Sequence, residues 1–122
     1  MKEEQRYRKL MVYNNATDFV VYVYTIMKKF PKEEQYALCD QLRRAAVSIP
    51  SNIAEGVGRV SEKERAHFME IAYGSVLEVN CQMEIAQRLG YISESELESI
   101  DAKSQELASM LSGFRNAILG KR

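Results

Sequence analysis

The most constraining feature of the chain is the run LRRAAVSIPSNIAEGVGR, which extends from Leu42 to Arg59. Read as a single helix, it gathers polar side chains on one narrow face, because they recur at steps of three and four residues. These residues are Gln41, Arg44, Ser48, Asn52, Glu55 and Arg59. An adjoining face is apolar and consists of Leu38, Leu42, Ala45, Ile49 and Ile53. Polar groups placed directly beside such a face need partners on another helix or another chain.

Helical periodicity extends upstream of this run and predicts a first helix that Pro31 ends. Its apolar residues recur at helical steps: Val12, Ala16, Phe19, Val23, Ile26 and Phe30. The second helix is expected from about Lys32 to Val57, with Pro31 suited to its first turn. Pro50 lies inside it and lacks an N–H group, which predicts a kink. A full break at Pro50 is the alternative.

Two capping boxes, SEKE at 61–64 and SESE at 93–96, predict the starts of two further helices. Gly90 offers a left-handed stop between them, so helix 3 is expected to end at Leu89. Helix 4 has a heptad pattern with one polar interruption, made by Leu97, Ile100, Ser104, Leu107, Leu111, Phe114 and Ile118. Long helices joined by short turns predict a single domain over residues 1–122. The predicted fold class is all-α, an antiparallel up-down-up-down four-helix bundle with a proline kink in helix 2.

Helix 3 carries more apolar surface than one partner requires. One arc is assigned to the bundle core and contains Phe68, Ala72, Val76, Val79, Met83 and Ala86. Leu77, Cys81 and Ile85 lie away from that arc, and Tyr22 and Tyr24 lie outside the core line of helix 1. One interpretation is a wide core face with scattered exposed apolar residues, which is common. The other is a subunit interface.

Charge and hydropathy exclude several classes of protein. Seventeen Lys and Arg residues balance seventeen Asp and Glu residues, so net charge predicts neither nucleic-acid nor membrane binding. Residues 1–65 carry a net +3 and residues 66–122 a net −3, which hints at a basic side. The N-terminal segment MKEEQRYRKL is charged where a signal peptide is apolar, and no apolar stretch is long enough to span a bilayer. We therefore expect a cytoplasmic protein with no membrane partner.

Residues suited to catalysis or metal binding are sparse. His67 is the only histidine, and it has no neighbouring cluster with which to form a metal site or a catalytic pair. Gly56 and Gly58 follow a helix instead of a strand, which indicates a helix stop and not a phosphate loop. Cys39 and Cys81 form no CxxC motif and are expected to be reduced, packed thiols. No enzymatic activity and no cofactor are expected.

The polar stripe of helix 2 has a counterpart on helix 3, where Ser75, Glu78 and Gln82 share one face. The favoured interpretation is structural, with Arg44 and Glu55 satisfied by these groups, because Arg and Glu pair better with each other than with phosphate. The alternative is a surface that contacts a ligand or RNA. The predicted structural network comprises Gln41, Arg44, Ser48, Asn52, Glu55, Ser75, Glu78 and Gln82.

A second set of candidate residues is basic. Arg43, Arg59, Lys63 and Arg65 cluster in sequence around the turn between helices 2 and 3. The N-terminus of helix 3 would add a positive dipole there, which favours phosphate. These four residues are the candidate nucleic-acid contacts, and a solvated charged face is the alternative.

The segment from Gln41 to Ile92 resembles the four-helix bundle family of proteins encoded in 23S rRNA intervening sequences. The resemblance rests on the run RRAAVSIPSNIAEG followed by GR, and on the Gly-Ser-x-x-Glu pattern at 74–78. The upstream stretch YTIMKKFPKEEQYAL, at 24–38, also matches. The family commonly has Arg before that Gly-Ser, whereas this chain has Tyr73, which reduces the basic surface inferred by analogy.

The resemblance implies an antiparallel bundle with a long, proline-containing second helix, assembled as a ring of five subunits. Such a ring would give the surplus apolar surface of helices 1 and 3 a role. Related accessory proteins of diversity-generating retroelements form pentameric barrels whose basic surfaces bind nucleic acid and a reverse transcriptase. We therefore expect a non-enzymatic homopentamer that binds RNA or a ribonucleoprotein partner. The alternative, favoured by the neutral net charge, is a protein-interaction scaffold with no nucleic-acid role.

Overall fold

The computed structural model describes residues 3–120. The ends of the predicted domain, residues 1–2 and 121–122, lie outside the described residues. Four α-helices follow one another: α1 (Met11–Met27), α2 (Leu38–Val57), α3 (Glu62–Arg88) and α4 (Glu94–Ile118). A 3₁₀ helix, Glu3–Lys9, precedes α1, and a short 3₁₀ turn, Lys32–Glu34, lies between α1 and α2.

Each helix packs against its neighbours in the chain, and α4 returns to α1, so the four helices surround one core. This all-α up-down bundle confirms the predicted fold class. The apolar positions expected to face the core in helix 1 are all buried, as are those of helix 3 except the half-buried Phe68. In α4 the polar Ser104 is fully buried, and its hydroxyl donates to the carbonyl of Asp101 at 3.0 Å.

Helix α2 begins six residues later than the pattern predicts, at Leu38 and not near Lys32. The cause lies at Ala37, whose φ of −119° and ψ of −98° fall outside the helical region, so a continuous helix cannot pass through it. The carboxylate of Glu34 accepts from the N–H of Leu38 at 3.4 Å, and the Arg43 guanidinium donates to the carbonyl of Gln35 at 2.8 Å. Side chains thus provide hydrogen bonds to backbone groups that a continuous helix would otherwise have paired.

Pro50 is buried inside α2, and the helix is continuous on both sides of it. The alternative of a full break at Pro50 is therefore wrong. The kink stays a prediction. Polar side chains near Pro50 form hydrogen bonds within the same helix. The amide of Asn52 donates to the carbonyl of Ser48 at 2.7 Å, and the Ser48 hydroxyl donates to the carbonyl of Ala45 at 3.1 Å.

The helix ends follow the capping signals closely. The box at Ser93 and Glu96 is complete, with both reciprocal bonds formed. At Ser61 only half of the box is present, because its hydroxyl accepts from the N–H of Glu64 at 3.0 Å without a returning bond. Gly90 has a φ of +85°, and the N–H of the next residue, Tyr91, reaches back five residues into α3 to the carbonyl of Ala86 at 2.9 Å. This is the left-handed stop that the sequence predicts.

The surplus apolar residues divide into two groups. Tyr22 packs against α4, where its hydroxyl donates to Ser99 at 2.7 Å and the ammonium of Lys103 lies 4.8 Å from the centre of its ring. Tyr24 is exposed, and so are Leu77, Cys81 and Ile85. These last three residues form one exposed line on α3, which we call the α3 strip.

Candidate functional site

The polar face of α2 contacts α3 through its shorter side chains. The hydroxyls of Ser48 and Ser75 are hydrogen-bonded, and the amide of Gln82 donates to the side-chain oxygen of Gln41 at 3.5 Å. Ser75 and Gln82 are buried, whereas Gln41 is exposed. The two pairs join positions that are close in space and far apart in the chain.

The charged members of the stripe pair along α2 and do not reach α3. Arg44 lies 3.4 Å from the carboxylate of Asp40, and Glu55 is bonded to Arg59. The Arg44 side chain is 81% exposed, so its charge stays in water. Glu78 on α3 is also exposed. The expectation that Arg44 and Glu55 pair with helix 3 therefore differs from the structure, because carboxylates and guanidinium groups one turn apart on the same helix are nearer partners.

Three of the four candidate nucleic-acid residues lie together at the turn between α2 and α3. We call Arg59, Lys63 and Arg65 the turn cluster. Arg65 donates to the carbonyls of Arg59 and Val60 at 2.9 and 2.8 Å, which anchors the turn. The guanidinium of Arg59 lies 4.9 Å from the centre of the Phe68 ring, while Lys63 is exposed. Two members of the cluster thus also have structural contacts.

Arg43 is separated from the turn cluster by most of α2, a distance of about 20 Å at the rise of an α-helix. It belongs to the opposite end of the bundle, where it contacts Gln35 and lies 3.8 Å from Asp40. The four candidate residues therefore do not form a single patch. Arg43 lies far from the turn in space because α2 is one continuous helix between them.

The turn cluster borders an open cavity of about 1030 Å³, which we call the end cleft. The cavity lies between the N-terminal 3₁₀ helix, the end of α2 and the end of α4. Among the described side chains, its basic residues are Arg6, Lys9, Arg59 and Arg65, and its single acidic residue is Glu55. Its apolar lining comes from Tyr7, Leu10, Ala54, Val57, Phe114 and Ile118. Arg6 and Lys9 were not among the candidate residues predicted from the sequence, although the charged run at 2–9 was the available signal.

The α3 strip is the second surface of interest. Leu77 is 52% exposed and Ile85 45% exposed, which is high for large apolar side chains. The side-chain oxygens of Asn80 and Gln82 are buried inside the single chain without a hydrogen-bond partner among the described residues, so another chain could not reach them. A line of exposed apolar side chains is typical of a surface that another chain covers.

Shifted pKa values trace the contacts that hold the helix ends together. The hydrogen bond from Arg115 lowers the pKa of Glu70, and that from Lys29 lowers the pKa of Glu96. The hydroxyl of Tyr91 donates to Glu34 at 2.7 Å, and this bond raises the pKa of Tyr91 to about 12. Each pair joins different elements of the bundle, so these shifts report on structure.

Metal sites, membrane spans and thiols are considered for residues 3–120, the part of the chain that the structure describes. No group of three His, Cys, Asp or Glu side chains comes together there as a metal ion would require. None of the helices in that range combines the length and apolarity that crossing a bilayer demands. Cys39 and Cys81 are both free thiols, the first buried and the second exposed.

Comparison with protein families identifies the relatives of this bundle. The sequence pattern of the 23S rRNA-intervening sequence proteins matches residues 8–113, which include every candidate site residue proposed from the sequence. The chain belongs to the 23S rRNA-intervening sequence protein family. The resemblance found in residues 41–92 is thereby confirmed. No curated protein matches the chain.

A solved structure shares the fold of this 23S rRNA-intervening sequence protein. It is the crystal structure of a protein of unknown function from the S23 ribosomal protein family of Bacteroides thetaiotaomicron. The two chains are 24% identical and superpose with a TM-score of 0.78 over 86% of this chain and 98% of the other. At that identity the likeness shows the fold alone.

Proposed function

We propose that this 23S rRNA-intervening sequence protein is a non-enzymatic homopentamer that acts in the cytoplasm and binds RNA or a ribonucleoprotein partner. The observation that carries the RNA proposal is the convergence of basic side chains at one end of a chain with zero net charge. A ring would repeat this end five times, so a modest patch would create a larger field.

The oligomer proposal rests on the α3 strip. A neighbouring subunit would cover Leu77 and Ile85 and remove their apolar surface from water. The choice of five subunits comes from the ring that the family resemblance of the sequence implies. Light scattering of the purified protein tests it directly, since a monomeric mass would overturn the proposal.

The RNA proposal is tested by binding structured ribosomal RNA fragments at two salt concentrations. Phosphate contacts release counterions, so affinity is expected to fall steeply as salt rises. Lys63→Glu is the cleanest variant because the side chain is exposed and forms no contact that holds the turn. Lys28→Glu, at the opposite end of the bundle, is the matched control.

Glu55 provides a test in the opposite direction. It is the single carboxylate among the described residues of the end cleft and is bonded to Arg59. Glu55→Gln removes a negative charge and frees the guanidinium, so RNA affinity should increase. An unchanged RNA affinity in both Lys63→Glu and Glu55→Gln would show that RNA contacts a different part of the protein.

The second candidate function is a protein-interaction scaffold with no nucleic-acid role. Neutral net charge favours it, and so does the engagement of Arg43 with Asp40 and of Arg59 with Glu55. A single protein partner that stays bound in fixed stoichiometry after nuclease treatment supports this candidate over the first.

A further inference from the structure

The end cleft combines charge with an apolar wall. Of the side chains that the structure describes there, four are basic, and the one acidic side chain, Glu55, is already paired with Arg59. A surface that attracted only phosphate would not need the apolar side chains that make up half of this lining. A volume of about 1030 Å³ lies at the upper end of the range for small-ligand sites. The occupant should therefore carry both an anionic and a flat or apolar part.

Two aromatic side chains line the same space. Tyr7 comes from the N-terminal 3₁₀ helix and Phe114 from α4, and both are half-buried. Tyr7 is held from one side by an edge contact with Tyr13, with ring centres 4.9 Å apart. Aromatic rings beside basic groups are the arrangement on which unpaired bases stack while their phosphates are neutralised.

We infer that the end cleft receives an unpaired nucleotide of RNA, with its base against Tyr7 and Phe114 and its phosphate toward Lys9, Arg59 and Arg65. This inference rests on the proposed RNA binding and names the kind of RNA that is recognised. In a duplex the bases are stacked on each other and cannot enter the cleft. A bulge or loop supplies both the base and the phosphate.

Three RNAs with the same stem test the inference at one low salt concentration. The first stem is fully paired, the second carries one bulged nucleotide, and the third carries the same bulge without its base. The bulged RNA should bind at least about tenfold more tightly than the other two, because only it offers a base for stacking. The baseless bulge separates stacking from simple flexibility of the backbone.

The outcomes separate this inference from the proposed function. Equal affinity for all three RNAs overturns the inference and leaves RNA binding standing. Binding of none of them at low salt overturns the proposed RNA function, and the inference with it. Equal affinity for the two bulged RNAs, both above the paired stem, also overturns the inference, since the base would then contribute nothing.

Two further measurements locate the site. Tyr7→Ser should weaken binding of the bulged RNA by about tenfold and leave the paired stem unaffected, while Tyr7→Phe keeps the ring and should bind as the native protein does. Cross-linking of a 4-thiouridine bulge to the native protein avoids any effect of substitution on folding. The cross-link is expected in residues 6–10 or 114–118, and a cross-link elsewhere, or none, overturns the inference.

Discussion

At the level of single residues, Gly56 has the tightest surroundings in the turn region. It is buried at the end of α2, and a Cβ atom built there would lie 2.7 Å from both Phe68 Cβ and Met69 Cε. The methionine end is flexible, but Phe68 Cβ is fixed to the backbone of α3. Any side chain at this position would therefore push the two helices apart.

We expect Gly56→Val to destabilise the protein by about 1–3 kcal/mol, because the added methyl groups overpack the contact between α2 and α3. Gly58→Ala is the matched control, since its Cβ would lie 3.5 Å from the carbonyl of Glu55 and its φ is −82°. Alanine reduces the conformational entropy of the unfolded chain, so Gly58→Ala should stabilise the folded protein by about 0.4–1 kcal/mol. Urea denaturation of both variants measures the difference, and equal stabilities would contradict this account.

Glu96 gives a residue-scale prediction about pH. Its pKa is lowered in the folded protein by Lys29 and by the backbone N–H of Ser93. A carboxyl group whose pKa is lower in the folded protein than in the unfolded chain stabilises the fold at pH values above the unfolded pKa, about 4.3. That stabilisation is lost as the pH falls through the folded-state pKa. Glu96→Gln should therefore lower the free energy of unfolding at pH 7 and have a smaller effect near pH 3.

Glutamine keeps the capping box at Ser93, so the substitution removes the charge without removing the cap. Glu98→Gln, at an exposed position on the same helix, is the control. Denaturant titrations at pH 7 and pH 3 provide the comparison. An effect of Glu96→Gln that is as large at pH 3 as at pH 7 would show that the charge of Glu96 is not the cause.

At the level of helices, α2 uses its polar face in two ways. Ser48 and Gln41 bond across to α3, while Arg44 and Glu55 bond along α2 itself. Ser48 and Gln41 lie close enough to α3 to bond there, and Ser48 also donates to the carbonyl of Ala45 in its own helix. Long charged side chains extend beyond the contact and pair in water, where a surface ion pair adds about 0–1 kcal/mol.

The Ser48–Ser75 contact predicts a strongly non-additive mutant cycle. The Ser48 hydroxyl donates its one proton to the carbonyl of Ala45, so Ser75 is the donor between the two serines. Ser48→Ala leaves that buried donor without its partner and should cost about 1–3 kcal/mol. The double variant should cost less than the sum of the two single ones.

Ser51→Ala, at an exposed position of the same helix, is the control for this cycle. Combined with Ser75→Ala it should be additive to within about 0.5 kcal/mol. Urea denaturation of the three single and two double serine variants measures the coupling. Additive behaviour of the Ser48 and Ser75 changes would contradict a direct hydrogen bond between them.

Prediction of the helices from the sequence succeeded where the signal is local. The capping boxes and Gly90 fix the ends of α3 and α4 to within about a residue. The start of α2 was predicted wrongly because nothing in the run from Lys32 to Ala37 forbids a helix. The backbone leaves the helical conformation at Ala37. The side chains of Glu34 and Arg43 bond to backbone groups of this segment, and these contacts form only in the folded chain.

At the level of the whole molecule, the bundle presents two different surfaces. One is the end cleft with its basic side chains, and the other is the apolar α3 strip. The strip lies along the middle of a helix, and the cleft lies at one end of the bundle. Assembly through the strip would therefore leave the cleft of each subunit accessible.

Leu77→Glu is expected to dissociate the proposed oligomer, because a subunit interface would have to bury the new charge. The side chain is half exposed in the single chain, so the fold itself should lose no more than about 0.5 kcal/mol. Val60→Glu, at a 93% exposed position in the turn after α2, is the control and should leave the mass unchanged. Light scattering measures the mass, and circular dichroism checks the helices; an unchanged mass for Leu77→Glu would place the interface elsewhere.

The sequence alone determined the four helices, the faces they bury and most of their ends. Those properties follow from apolar spacing and capping groups within a few residues of each other. Only the tertiary structure decided which polar residues of α2 contact α3, that Arg43 lies far from the turn cluster, and that the N-terminal 3₁₀ helix meets the ends of α2 and α4 at the end cleft. The physical reason is that these contacts join distant parts of the chain. Which partner a long side chain takes depends on what packing brings within its reach.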